Sequence, residues 1–186
     1  MNLSAVAEAQ GRAGEALEYA VQANELCRQK GDKPSEAWSC LYLGHASLAM
    51  GQLEEAKSAF AQALNIRKEL GQPVLATEPI AGLVLVALQM NDVSLASRLV
   101  EDVMPHILEC GTLEWTEEPL RVYLACYKCL ERTEDSRADQ ILEAAAQLLE
   151  TQASKINDEQ SRRMYIEKVP WRREIERAWM AKKAKL

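Results

Sequence analysis

The sequence predicts an all-α protein, a solenoid of antiparallel helix pairs, and three observations carry that expectation. The 186 residues contain a single Phe and only 5% aromatic residues, while Ala, Leu and Glu abound, a mix that favours helix over strand. Turn-forming residues recur at a spacing of forty: Gly11, Gly51 and Asn91 form one set, and Gly31, Gly71 and Gly111 a second. Apolar residues recur at the same spacing, as in Leu3, Leu43 and Leu83, in Ala16, Ala56 and Ala96, and in Ala20, Phe60 and Val100. A lone helix pair cannot bury its apolar face, so such units are expected to stack into one continuous core.

Each unit divides into two helical halves. Ser35 to Met50 carries Trp38, Leu41, Tyr42, Leu43 and Leu48 on a broad apolar face. Leu53 to Leu70 places Leu53, Ala56, Phe60, Ala63, Leu64 and Ile66 at spacings of three and four, an amphipathic helix. Gly51 and Gln52 form the turn between them, Gly71 ends the second helix, and Pro73 blocks its continuation. Pro79 and Pro119 fall near helix starts, where a missing N–H is harmless. Glu78, Glu117 and Glu118 lie in the same first turns and complement the helix dipole. Pro105 falls inside a second helix and should kink or shorten it. A fourth unit follows with a slip of about two residues, placing Ala138, Leu142 and Ala145 on the same track. The array is expected over residues 1–156, with basic capping helices over 157–186. Residues 1–10 supply only the back half of a first helix, which points to the C-terminal piece of a longer chain or to a degenerate open end, with a short complete protein as the alternative reading.

Composition and motifs narrow the function. The most apolar run, Leu83 to Leu88, falls far short of the ~20 residues of a membrane helix. The N-terminus shows no basic stretch followed by an apolar one, and five scattered Cys read as reduced thiols of a cytoplasmic protein. With only His45 and His106, no phosphate-cradling Gly loop and no Gly-x-Ser-x-Gly elbow, the chain offers no catalytic constellation. Glu54–Glu55 and Glu117–Glu118 are adjacent pairs; neighbours on a helix diverge by ~100°, so they read as solvated faces. Cys126 and Cys129 form a CxxC, but they fall at packing positions of a first helix and read as small buried apolar residues. His106 and Cys110 have metal-ligand spacing and no supporting ligand. No enzyme activity, cofactor or metal is therefore expected.

Residues 37–70 resemble a tetratricopeptide repeat. The residues that carry the likeness are Leu43-Gly44 in the first helix, Gly51 in the turn, and Ala56, Phe60 and Ala63 in the second helix. The flanking units depart from the pattern: Val84 and Cys126 replace the small Gly, and Cys40, Ile80 or Val122 stands where Trp is usual. The longer period and these departures resemble repeats of bacterial regulators. The tail, through Ile156, Asp158, Arg162, Arg163, Val169, Pro170, Arg173, Glu174, Ile175 and Trp179, resembles the C-terminal end of large bacterial signalling proteins. Those proteins join an ATPase module, sometimes with a DNA-binding domain, to a C-terminal repeat array.

The resemblance implies a right-handed superhelix whose first helices line a concave groove. Its groove positions here are Trp38, Leu41 and His45, then Ala81 and Leu85, then Tyr123 and Tyr127. It implies a protein or peptide ligand in that groove, and a regulatory arm acting on an upstream ATPase or DNA-binding module of the same chain. The opposing reading is that tight curvature packs these residues on one another. In the tail, Trp171, Ile175, Ala178 and Trp179 share one helix face and are expected to cap the last repeat, with Arg172, Arg173 and Arg177 in solvent. Residues 161–186 hold nine Lys/Arg and three Glu, a net of +6, which leaves −12 for residues 1–160. The acidic array argues against nucleic acid as its partner, whereas the basic tail leaves that reading open, and self-association into a homo-oligomer is a third reading.

Overall fold

The computed structural model describes residues 3–108, 113 and 116–184, and those residues form ten α-helices and no strand. The first pair is α1 (Leu3–Ala9) and α2 (Ala13–Lys30), and the second is α3 (Lys33–Ala49) and α4 (Leu53–Glu69). α5 (Thr77–Gln89) and α6 (Val93–Leu108) form the third pair, and α7 (Pro119–Arg132) and α8 (Ala138–Ser154) the fourth. The chain then adds α9 (Glu159–Glu167) and α10 (Pro170–Lys183). Each helix packs on its neighbours in sequence, and the first helices of successive pairs also touch, α1 on α3, α3 on α5 and α5 on α7. This is a helical solenoid.

The turns explain the register. Gly11, Gly31, Gly51, Gly71 and Asn91 all take left-handed backbone with φ between 65° and 76°, at the positions the forty-residue spacing marks. Gly111 and Cys110 lie outside the described residues. In the fourth unit the turn between α7 and α8 runs over residues 133–137, and Glu134 holds the left-handed position at φ 54°. Asp32 caps α3 by accepting the Ser35 amide at 3.2 Å, and Asp158 caps α9 by accepting the Ser161 amide at 2.6 Å. Pro79 is the third residue of α5 and Pro119 the first of α7, while Pro105 sits inside α6, which ends three residues later.

The packing of α3, α4 and α5 centres on one ring. Phe60, fully buried on α4, lies directly against the backbones of Gly44 on α3 and Gly82 on α5. A Cβ placed on Gly44 would stand 2.6 Å from the ring, and one on Gly82 only 2.4 Å. The sequence marks Gly44; the second close approach, at Gly82, lies two residues before the Val84 that replaces the repeat's small Gly. From α5 onward a single apolar cluster runs without a break through Val84, Val100, Leu120, Ile141 and Leu149 to Val169, Trp171 and Ile175. The tail therefore shares the core of the last pairs. Val169 is extended, as a residue before Pro must be, and this separates α9 from α10.

The Phe60 contact yields a test. Alanine at position 82 gains about 1 kcal/mol of helix propensity but forces a methyl into the ring, which costs about 1–3 kcal/mol. Gly82→Ala should therefore lower the unfolding free energy by about 1 kcal/mol in urea denaturation. The loss should vanish in a Phe60→Leu background, and equal effects in both backgrounds would show that the ring is not the obstacle.

Candidate functional site

The first helices converge far more closely than an open groove requires. α7 reaches back across α5 and α3 to α1, where the Arg121 guanidinium forks onto the Glu8 carboxylate at 2.9 and 2.8 Å. These residues are 113 positions apart. Both side chains are largely shielded, so the pair is charge-assisted and poorly screened. Just before α7, the amide groups of Glu117 and Glu118 both donate to Oε1 of Glu78, each at 3.0 Å. Tyr42 on α3 donates its hydroxyl to the Glu117 carboxylate.

This closure decides where the expected groove residues lie. Leu41, His45, Ala81 and Tyr123 are all buried. They belong to the core and not to an accessible stripe, because the inner faces of α1, α3, α5 and α7 pack on one another. His45 meets the edge of Phe60 with ring centroids 5.0 Å apart. Burial, aided by the Arg121 charge, holds its imidazole well below the usual range, so the ring is neutral at physiological pH. Trp38, Leu85 and Tyr127 stay partly exposed, but they open into three separate clefts. Leu85 shares one with Leu88, Lys128 and Arg132, and Tyr127 shares another with Asp139, Glu174 and Lys182.

The Trp38 cleft measures about 560 Å³ and lies between α2 and α3, lined by Ala23, Cys27, Ser35, Trp38, Ser39, Tyr42 and Glu117. The Trp38 and Tyr42 rings stack with centroids 6.4 Å apart and 27° between planes. The guanidinium of Arg67, at the end of α4, lies 4.3 Å from the Trp38 ring centroid and donates to Gln72 at 2.8 Å. These contacts fix the indole before any partner arrives.

Sequence reasoning missed the polar spine behind this cleft. Glu78 is buried in the first turn of α5, and its Oε2 has no hydrogen-bond partner among the described residues. Burial pushes its carboxyl up to about 7, against the pull of the two amides and of Arg67. Glu117 and Glu118 are not a solvated pair on a helix: both precede α7, and Glu118 is half-buried with its carboxyl also raised by burial. Glu118 accepts the Trp171 indole N–H at 3.3 Å and pairs with Arg172 at 3.5 Å. Arg121 stacks 3.5 Å over Trp171, and Arg172 stacks 3.9 Å over Tyr165.

The tail corrects two further expectations. Trp171 and Ile175 are buried, whereas Trp179 stays partly exposed beside a cleft between α8, α9 and α10. Arg172 is half-buried in its ion pair rather than in solvent, while Arg173 and Arg177 are exposed. Lys182 is tied to Asp139 at 3.0 Å. Cys40, Cys126 and Cys129 are buried thiols, and burial pushes Cys126 up to about 12, which makes it a poor nucleophile. Among the described residues no group of three His, Cys, Asp or Glu stands together to hold a metal, and no helix is long and apolar enough to cross a membrane.

Fold and face together define a helical-repeat scaffold, an architecture that presents extended surfaces to other molecules. A family model of the tetratricopeptide repeat matches residues 1–69, which span α1 to α4 and most of the Trp38 cleft. Over that segment the chain is similar to proteins whose repeats generally mediate protein–protein interaction. Comparison with curated proteins and with solved structures finds no match.

Two predictions follow from burial. A carboxyl raised from its unfolded value of 4.5 to about 7 stabilises the fold when protonated; that contribution is full below pH 4.5 and is lost as pH rises through 7. Glu78→Gln should match the parent protein near pH 4 and exceed it at pH 8 by on the order of 2–3 kcal/mol in chemical denaturation. Taking the difference between the two proteins removes other titrating groups such as His45, and a difference that does not change with pH would reject the assignment. Tyr123→Ala, in turn, should act on the core and cost about 3 kcal/mol of stability, readable as a fall of the melting temperature.

Proposed function

We propose that the chain is a protein–protein interaction scaffold that captures a peptide segment of its partner in the Trp38 cleft between α2 and α3. The observation that carries this reading is the indole itself. Trp38 remains accessible beside a cleft of about 560 Å³, while it is held rigid by Arg67 and Tyr42. A preordered aromatic with a polar edge is the usual anchor of a protein interface, because little side-chain entropy is lost when it is covered. All of the cleft's lining but Glu117 falls within the segment that matches the tetratricopeptide repeat.

The finer role rests on resemblance. The departures from the usual repeat and the Ile156-to-Trp179 tail favour a partner- or effector-sensing C-terminal arm of a larger bacterial signalling or transcription-regulating protein. In that role, capture at the cleft biases the state of an upstream ATPase or DNA-binding module. The tight coupling of α1 to α7 through Glu8 and Arg121 favours transmission along a rigid array.

Selection of a random peptide library on the whole chain tests the capture. Retained peptides should lose at least tenfold in affinity for Trp38→Ala and for Ser35→Gln, which narrows the mouth without entering the core. Ser35→Gln should melt within a few degrees of the parent, whereas Trp38→Ala, which also uncovers Arg67, should melt lower yet remain folded. Peptides that bind both variants as tightly as the parent would reject the cleft as the capture site.

A further inference from the structure

We infer that the Trp38 cleft recognises a cationic side chain, an arginine or lysine presented by the partner's peptide. The inference rests on the capture proposed above and specifies its chemistry. Among the described residues Glu117 is the one charged residue lining the cleft, and it is exposed. One of its carboxylate oxygens accepts the Tyr42 hydroxyl, which orients the group beside the stacked Tyr42 and Trp38 rings. The cleft therefore combines two aromatic rings, a small apolar wall at Ala23 and Cys27, and one carboxylate. That set matches a side chain with a long apolar stem and a positive head: the stem covers the rings, and the head meets π-density and a carboxylate together.

The surrounding charges favour the same sign. Among the described residues no Lys or Arg head lines the cleft, so an acidic ligand would find no counter-charge there and would face Glu117. The nearby Arg67 cation is buried against the Trp38 ring, donates to Gln72 and feels the Glu78 carboxylate, while its Nη2 has no hydrogen-bond partner among the described residues. Glu36, on the same helix, already pairs with Lys33 at 3.0 Å and approaches Arg28 at 3.8 Å. Residues 1–160 carry −12, so the long-range field of the array also draws a basic segment.

The test takes the peptides retained by the whole chain in a Trp38-dependent manner. They should be enriched in Arg and Lys. Replacing the critical Arg by citrulline, its neutral isostere, should weaken binding about tenfold, and Glu117→Gln should weaken the Arg peptide by a similar factor. The citrulline peptide should be indifferent to Glu117→Gln, because the two changes remove the same interaction. Ser35→Arg, a cation set in the mouth, should abolish binding of the Arg peptide while leaving the melting temperature in place. Trp38-dependent peptides that tolerate citrulline and Glu117→Gln alike would overturn the cationic inference and leave peptide capture standing. If no retained peptide depended on Trp38, both would fall.

Discussion

The ring of Phe60 sets how closely the first helices can lie. Gly44 and Gly82 offer bare backbone on α3 and α5, and the ring of the intervening helix fills the space where two side chains would otherwise stand. Protein cores pack at crystal-like density, so removing two Cβ atoms lets three helices close onto one large side chain with no void. The chain contains no other Phe. Its equivalents at a spacing of forty are Ala20 and Val100, both buried and both smaller. Opposite them, in the register of Gly44, stand Ser4 and Val84, also buried. Each unit thus solves the same volume problem with a different division between its two helices, and the second unit takes the extreme form.

Close first helices have an electrostatic consequence. When α3 and α5 approach, α7 comes near enough to α1 for Arg121 to grip Glu8, and the strip between them is withdrawn from water. An unpaired buried group costs about 1–3 kcal/mol, so most polar groups in that strip find partners, although Glu78 Oε2 and His45 Nδ1 have none among the described residues. Glu78 finds the two amides at the entry to α7, and Glu118 finds Trp171 and Arg172. A broad concave groove is lost as a result. What remains open is the margin, where Trp38 lies at the edge of the closed strip rather than within it.

The helices and their boundaries were legible because they depend on local signals. A glycine or asparagine every forty residues marks a left-handed turn whatever surrounds it, and the apolar spacings of three and four mark a helix face. Gly82 was legible in principle: a lone Gly in the apolar run from Ile80 to Leu88 asks for a close neighbour. The polar spine was not. Glu78 meets amides 39 and 40 positions away, and Arg121 meets a carboxylate 113 positions away. Those distances are set by the rise and rotation accumulated over three units, which no local pattern records. The same accumulated geometry decides that His45 and Tyr123 lie in the core instead of in solvent, so a groove carried over by register alone places core residues on a surface.

The register does explain how the tail is joined. Trp38, Glu78 and Glu118 are spaced by forty, so they hold one register position in successive units, inside α3, in the first turn of α5 and just before α7. Glu78 couples its unit forward, to the amides that open α7. Glu118 couples its own unit forward, to Trp171 and Arg172 at the start of α10. The tail therefore receives from the fourth unit the kind of contact that the fourth unit receives from the third, and the apolar core runs on through it. Its basic residues are not an independent feature of the surface at this point, because Arg172 completes a chain of carboxylate contacts that would otherwise end on a buried charge. Trp38 holds the same position in the second unit but replaces the carboxylate with an indole, and its cation, Arg67, comes from the helix that follows within its own unit. Among the described residues the indole makes no such forward-reaching carboxylate contact, which in this unit falls to Tyr42, and the space beside the indole is the cleft.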